Sequence, residues 1–263
     1  MFENRYRLRP APPFRVPVGG GVLIVVVDSA TPAVTAALAS VDDTGVELLA
    51  ASVTVDARAH GELLAPAVTS VLAKGGATPK DLDAVVAGLG PGPFTGLRVG
   101  LVTAAALADS LNIPAYGVCS LDALGWAAGP GRVLVATDAR RKEIYWAVYE
   151  DGVRLTDPAV GKPADVLLSY GAGPLSAGAD PRPEPHAARL LDGTRAAVGD
   201  GAHRYADILG LPVLDEPRYP PAAGFAALAA DRVRDRMPTE PLTPLYLRRP
   251  DAVLPGERKP ALR

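Results

Sequence analysis

The chain is short of the residue types from which most reactive sites are built. Its 263 residues hold one cysteine, three histidines, two methionines and two tryptophans. One cysteine excludes an internal disulfide and suits a reducing compartment, so a cytoplasmic location is expected. Cys119 follows Val118 and precedes Leu121, a setting for a buried, unreactive thiol. His60, His186 and His203 are widely separated, and neither an HxxxH nor a CxxC pair exists. A metal site built from side chains is therefore not expected. A G-x-S-x-G nucleophile elbow is also missing, because Pro174 stands where Ser176 would need a glycine before it. Neither sign of charge dominates: 27 Lys and Arg face 29 Asp and Glu, for a net charge of −2. That balance excludes a general nucleic-acid binder held by phosphate attraction alone. No apolar run reaches the length of a membrane span, and no membrane partner is expected. Residues 21–27 are too short for a signal core and lack a small-residue cleavage pattern.

What is present is a large apolar fraction, 48% of residues, with Gly and Pro at 27 each. Residues 1–21, MFENRYRLRPAPPFRVPVGGG, hold four arginines and four prolines without periodicity and read as a disordered extension. Residues 22–27 form a continuous apolar run, a buried strand ending at Asp28. Two further strands follow, at 34–41 and 46–53, across the hairpin turn Asp42-Asp43-Thr44-Gly45. Residues 60–74 have helical spacing, with Leu63, Leu64, Ala67, Val68, Val71 and Leu72 on one face and Gly75-Gly76 as a stop. Strands are predicted at 82–87 and 113–118, with a helix ending near Leu111 between them and another over 120–127.

A second unit repeats the first. VLIVVVD-SATPA-VTAALAS aligns with RVLVATD-ARRKE-IYWAVYE: a buried strand, a terminal Asp, a five-residue turn and a second strand. The intervals from Asp28 to Val34 and from Asp138 to Ile144 are equal. An internal duplication of this kind predicts two related lobes with a cleft between them. Residues 156–221 are Pro-, Gly- and Ala-rich and carry little periodicity beyond a strand end and tight turn at Val198-Gly199-Asp200-Gly201. Residues 222–237 read as an amphipathic helix. The lobes are assigned to 22–118 and 119–248, with 222–237 able to pack back on the first lobe and 249–263 as a tail.

GLGPGPFTGLRVG, residues 88–100, has five glycines. It is not a Walker A loop, because Leu97-Arg98 follows its Gly96 where Lys and Ser or Thr are needed. It is not a dinucleotide fingerprint, because Pro93 occupies the third glycine position. A turn and a helix remain, with Thr95 as the expected N-cap. Gly96, Gly100, Ala104 and Ala108 recur every fourth residue and leave one helix face bare. Such a face admits close backbone approach, while the helix start beside Arg98 offers an anion site. Asp28 and Asp138 at strand ends have two readings: turn caps, or ligands for phosphate or magnesium in a nucleotide cleft. The second needs a glycine close behind each Asp. Ser29-Ala30 and Ala139-Arg140 stand there instead, so both turns look degenerate.

GPGPFTGLRVG, DARRKEIYWAVY, GDGAHRY and PLYLR, in that order, resemble the TsaB (YeaZ) family, over residues 22–248. The resemblance implies a two-lobed α/β fold of the actin, Hsp70 and sugar-kinase clan (ribonuclease H-like), with duplicated mixed β-sheet lobes. It implies a non-catalytic scaffold in the complex that transfers a threonylcarbamoyl group to N6 of the adenosine beside the tRNA anticodon. The catalytic relative, TsaD, carries a metal-binding HxxxH; Ser120 and Leu124 stand at the corresponding positions here. Leucine cannot ligate a metal. ATP or threonylcarbamoyl-adenylate and the metal are therefore expected in the partner, with no cofactor bound by this chain alone. Expected partners are a TsaD-like catalytic subunit, a TsaE-like ATPase, and tRNA through the complex, with a homodimer in the partner's absence. The matching helices, 60–72 and 95–111, place Leu63, Leu64, Ala67, Val71, Leu97, Arg98, Leu101, Val102 and Ala105 at the expected interface, where the bare glycine face would meet a partner helix. Ordinary lobe core is the other reading of that stripe. Asp28, Ser29, Thr31, Asp138 and Arg140 mark the degenerate cleft turns. The alternative function is an independent small-molecule kinase of the same clan.

Overall fold

A computed structural model of the chain describes residues 21–168 and 193–248. Residues 1–20, the tail from 249 on, Ser176 and His186 lie outside the described residues. The first strand shows why its sequence is uninterrupted by polar residues. β1 (Val22–Asp28) lies centrally in a five-stranded sheet of order β3-β2-β1-β4-β5. Leu23, Val25 and Val27 enter one core, and Val22, Ile24 and Val26 enter another on the opposite face. A strand covered on both faces has no position for a polar side chain. β2 (Ala33–Asp42) pairs antiparallel with β1, and β3 (Gly45–Val55) forms the half-exposed edge. β4 (Ala84–Gly88) and β5 (Ala115–Val118) run parallel to β1.

Helix α1 (His60–Lys74) and helix α2 (Phe94–Leu111) cover the first face. A single 3₁₀ turn, Pro79–Asp81, is fixed by a Thr78–Asp81 capping box. Pro93, not Thr95, occupies the N-cap of α2, two residues earlier than expected, and makes no side-chain cap because proline has no side-chain acceptor. α2 is long and apolar enough, by length and composition alone, to cross a membrane. Its apolar content serves the lobe: Leu97, Leu101, Ala104 and Ala108 are buried in the first core.

Helix α3 (Ser120–Ala127) leads into the second lobe, where β6 (Arg132–Asp138) again has both faces buried. Its sheet runs β10-β6-β7-β8, with β7 (Ile144–Glu150), β8 (Val153–Arg154) and β10 (Thr194–Val198); β9 (Ala159–Gly161) also pairs with β7. The order 3-2-1-4 is therefore shared between lobes, and an isolated parallel bridge, Ala197 to Val213, stands where the fifth strand would begin. The repeat is offset by one residue. Asp28 pairs with Thr35, whereas Asp138 pairs with Ile144, so the first turn holds one residue more.

The short helices α4 (Pro163–Leu168), α5 (Asp200–Arg204) and α6 (Ala206–Leu209) complete the second lobe. Helix α7 (Ala222–Arg234) packs on the second face of the first sheet through Phe225, Ala226, Ala229 and Val233. It ends before the expected Met237, whose carbonyl accepts a hydrogen bond from the Tyr116 hydroxyl at 2.5 Å. The chain then straps the open edge of β5: the Glu240 amide donates to the Ala115 carbonyl at 3.0 Å, and the Leu245 amide to Leu89 at 2.9 Å. Covering an edge strand removes a template for unwanted pairing.

Gly125 and Gly61 make opposite tests of this packing. A methyl group on Gly125 would collide with the ring of Tyr149, whose hydroxyl is tied to Asp122 at 2.7 Å. Gly125→Ala should lower unfolding free energy by about 1–3 kcal/mol. Around Gly61, in the first turn of α1, a methyl group meets nothing. Gly61→Ala should raise it by about 0.5 kcal/mol. Urea denaturation of both variants measures the pair.

Candidate functional site

The two strand-end aspartates sit in unlike surroundings. Asp28 ends β1 beside Gly88 at the end of the parallel β4, and it is wholly buried. Its Oδ1 accepts a hydrogen bond from Ser120 Oγ at 2.8 Å, while Oδ2 is enclosed without a hydrogen-bond donor. Burial pushes its pKa up to about 6, against the downward pull of the Ser120 hydroxyl and the Ala30 amide. A Cβ at Gly88 would overlap that carboxylate, so glycine is required by close approach rather than by a phosphate.

The same close approach runs along the loop. A Cβ on Gly92 would strike the Ala30 backbone, and one on Gly96 would lie 2.9 Å from the Ser29 carbonyl oxygen. One on Gly100 would lie 2.6 Å from Ser29 Oγ, and that hydroxyl donates to the Gly96 carbonyl at 2.8 Å. The bare face of α2 thus meets the chain's own β1–β2 turn. The partner helix expected there has no access, because Gly96, Gly100, Ala104 and Ala108 are all buried. His60 Nε2 lies 2.8 Å from the Thr31 carbonyl and ties the turn to the start of α1. From the second lobe, the Tyr145 hydroxyl donates to the Gly92 carbonyl at 3.4 Å. The β1–β2 turn and the glycine loop thus pack closely on one another, with the Tyr145 hydroxyl reaching them from the second lobe.

Asp138 is buried among cations instead. Its Oδ2 is 3.0 Å from Arg204 Nη1 and 3.9 Å from Arg140 Nη1, and its Oδ1 accepts the Arg140 amide at 3.1 Å. Asp200 accepts the Asp138 amide at 3.2 Å and is pushed up to about 6, chiefly by burial. The Ala139–Glu143 turn is closed by Ala139 N to Glu143 O at 3.0 Å. Arg140, Arg141 and Lys142 within it have φ of 63°, 56° and 62°. Such left-handed geometry costs non-glycine residues about 1–2 kcal/mol each.

The metal-ligand positions do not fit a metal. Ser120 is committed to Asp28, and Leu124 is fully buried in the second-lobe core. Among the described residues, no three His, Cys, Asp or Glu side chains gather as a ligand set. Cys119 is buried, and that burial pushes its thiol up to about 12.

The expected interface stripe divides. Leu64, Val71, Leu97 and Leu101 belong to the first lobe's core, and Leu63 and Ala67 are half-buried against it. Their apolar spacing is the signature of sheet packing, which alone accounts for it. Arg98, Val102 and Ala105 are exposed. With Phe94, which the sequence reading passed over, they form an outward strip on α2. Phe94 and Val102 are 55% and 63% exposed. The Arg98 guanidinium lies 4.8 Å over the Phe94 ring, which stacks on Tyr246 at 5.4 Å. Between α2 and the strap runs an open groove of about 1050 Å³, bordered by Arg98, Val102, Ala105, Leu242 and Tyr246. Arg204 and Tyr145 were also missed; neither lies in a periodic pattern.

Two measurements test this closure. Ser29→Ala should cost about 1 kcal/mol and Gly100→Ala about 1–3 kcal/mol. The double variant should cost less than their sum, because removing Oγ clears the space that the new methyl group needs. The raised Asp28 and Asp200 carboxyls take up protons on folding between the unfolded value of 3.8 and about 6. Stability should therefore fall as pH rises through that window. Asp28→Asn should flatten the fall and gain on the order of 2 kcal/mol near neutral pH, read by urea denaturation from about pH 4 to about pH 7.

Residues 48–198 match the family described as TsaD, tRNA N6-adenosine threonylcarbamoyltransferase. An uncharacterized protein of Mycobacterium tuberculosis is 46% identical over 230 residues, covering 87% of this chain and 93% of that one. A Mycobacterium leprae protein is 47% identical over 88% of this chain, which spans only 56% of that longer relative. The tRNA threonylcarbamoyladenosine biosynthesis protein TsaB of Escherichia coli is 39% identical over 97 residues, 35% of this chain and 42% of its own. YeaZ from Pseudomonas aeruginosa superposes with a TM-score of 0.64 at 26% identity, over 86% of this chain and all of that one. The profile match, the TsaB sequence likeness and the YeaZ superposition agree with the two-lobed geometry, and the chain belongs to the TsaB (YeaZ) family.

Proposed function

We propose that this chain is a cytoplasmic, non-catalytic subunit of a tRNA-modifying assembly. In this reading it binds a TsaD-like catalytic subunit that forms threonylcarbamoyladenosine in tRNA. The observation that carries the reading is the close packing of the β1–β2 turn on the glycine loop, with Ser29 Oγ on the Gly96 carbonyl at 2.8 Å and Asp28 wholly buried. A phosphate needs backbone amides open to approach, and a metal needs ligands where Ser120 and Leu124 stand. Family membership supplies the pathway, through relatives named as tRNA threonylcarbamoyladenosine biosynthesis proteins. ATP or threonylcarbamoyl-adenylate and the metal then belong to the partner, and a TsaE-like ATPase joins the same assembly.

The outward strip of α2 is the partner surface in this reading. Phe94, Arg98, Val102 and Ala105 supply an aromatic anchor, a cation and small apolar area, a combination favoured at the centre of protein interfaces. Without the catalytic partner, a second copy of this chain is the expected occupant.

Light scattering on a sizing column tests it. The chain mixed with the TsaD-like protein of the same cell should elute as a mixed complex. Val102→Asp should weaken that complex at least tenfold without moving the thermal midpoint, because the side chain is exposed in the monomer. Absence of a mixed species at micromolar concentrations, with nucleotide and the TsaE-like protein present, would contradict the proposal.

A further inference from the structure

The β6–β7 turn does not follow from packing. Arg140, Arg141 and Lys142 are consecutive, all exposed, and all in the left-handed region. Glycine or asparagine would adopt these angles with far less strain. The sequence instead sets three like charges side by side on a strained backbone. Backbone bonds between Ala139 and Glu143 and from Glu143 N to Arg140 O at 2.9 Å hold the turn in that form. Strain retained in this way is a mark of function rather than of stability.

The surrounding charges extend the patch. Arg204 shares the Asp138 Oδ2 with Arg140, at 3.0 and 3.9 Å, so both guanidinium groups lie around one carboxylate. Arg218 acts on the neighbouring Asp200. Glu143, the acidic residue closing the turn, is already paired with Arg248. Three cations, Arg140, Arg204 and Arg218, thus surround one buried carboxylate pair, and Arg141 and Lys142 add two exposed charges on the same turn, in a chain whose total charge is −2. The three turn positions offer no apolar side chain, whereas a protein partner's central contacts are apolar and aromatic.

We infer that this turn is a contact for the RNA phosphate backbone, through which the second lobe holds the tRNA that the assembly modifies. The inference rests on the accessory-subunit reading for the identity of the RNA. Exposed cations on a hairpin tip match a row of phosphates and carry no base specificity. The contact adds affinity to an assembly whose sequence recognition lies elsewhere, which is compatible with an overall acidic chain.

The test is fluorescence anisotropy of a labelled tRNA anticodon stem-loop titrated with the complex of this chain and the TsaD-like protein, over a range of salt. The variant Arg140→Asn/Arg141→Asn/Lys142→Gly removes the charges while suiting the left-handed turn, so it should keep or raise the thermal midpoint. It should bind the RNA at least tenfold more weakly at low salt, with a log–log salt slope shallower by about 2. Arg140→Lys/Arg141→Lys should retain the wild-type slope. Unchanged affinity and slope in the neutral variant would overturn the inference. So would loss of the subunit complex with RNA binding intact, which would make the turn a protein contact. If the wild-type chain fails to join the TsaD-like protein, the accessory reading fails separately. The isolated chain titrated with the same RNA then decides: binding lost in the neutral variant supports the turn's role, and no binding overturns it.

Discussion

The close approach of the β1–β2 turn to the glycine loop governs the first lobe. Asp28, Ser29 and Ala30 lie where side chains at Gly88, Gly92, Gly96 and Gly100 would have to go. This contact seats the start of α2 directly on the sheet. It buries the small-residue face of that helix and turns Phe94, Arg98 and Val102 outward. It also packs the loop's backbone against that of the turn. One steric condition therefore buries one face of the helix and sets the other outward.

The lobes have diverged from the same plan in opposite directions. In the first, the strand-end carboxylate is sealed with a hydroxyl partner and pushed toward its neutral form. In the second, the equivalent Asp138 is matched by Arg204 and Arg140 and lies beneath an exposed basic turn. The one-residue difference in hairpin register accompanies this change. The longer first turn reaches over α2, where Ser29 can meet Gly96. The shorter second turn holds three consecutive residues at left-handed angles. Under the proposed function, the outward strip of the first lobe would meet a protein and the basic tip of the second an RNA.

Much of the fold was legible because its strands and helices carry strong periodicity. β1 and β6 read as buried from unbroken apolar runs, α1 begins and ends where its spacing indicates, and α3 begins at the expected Ser120. The duplication was visible in the two Asp-ended strands, although equal spacing concealed the register offset. The interface was less legible. Leu64, Val71, Leu97 and Leu101 have the pattern of any helix face, and spacing does not distinguish a sheet beneath from a partner above. The bare face of α2 implied a close neighbour, but not that the neighbour was Ser29, sixty-seven residues away in sequence from Gly96. Long-range contacts of this kind leave no local pattern, and the same holds for Arg204 on Asp138 and Tyr145 on Gly92. The left-handed turn was hidden for a different reason: Arg-Arg-Lys is not turn chemistry.

An independent kinase of this clan would need its first half-cleft open to nucleotide. Calorimetric titration of the isolated chain with magnesium and ATP asks that question most directly. A chain whose β1–β2 turn stays packed on the glycine loop should give no saturable heat up to about millimolar nucleotide, an affinity corresponding to less than about 4 kcal/mol of binding free energy. Magnesium-dependent binding at micromolar concentrations, abolished by Asp28→Asn, would show instead that the turn opens to nucleotide.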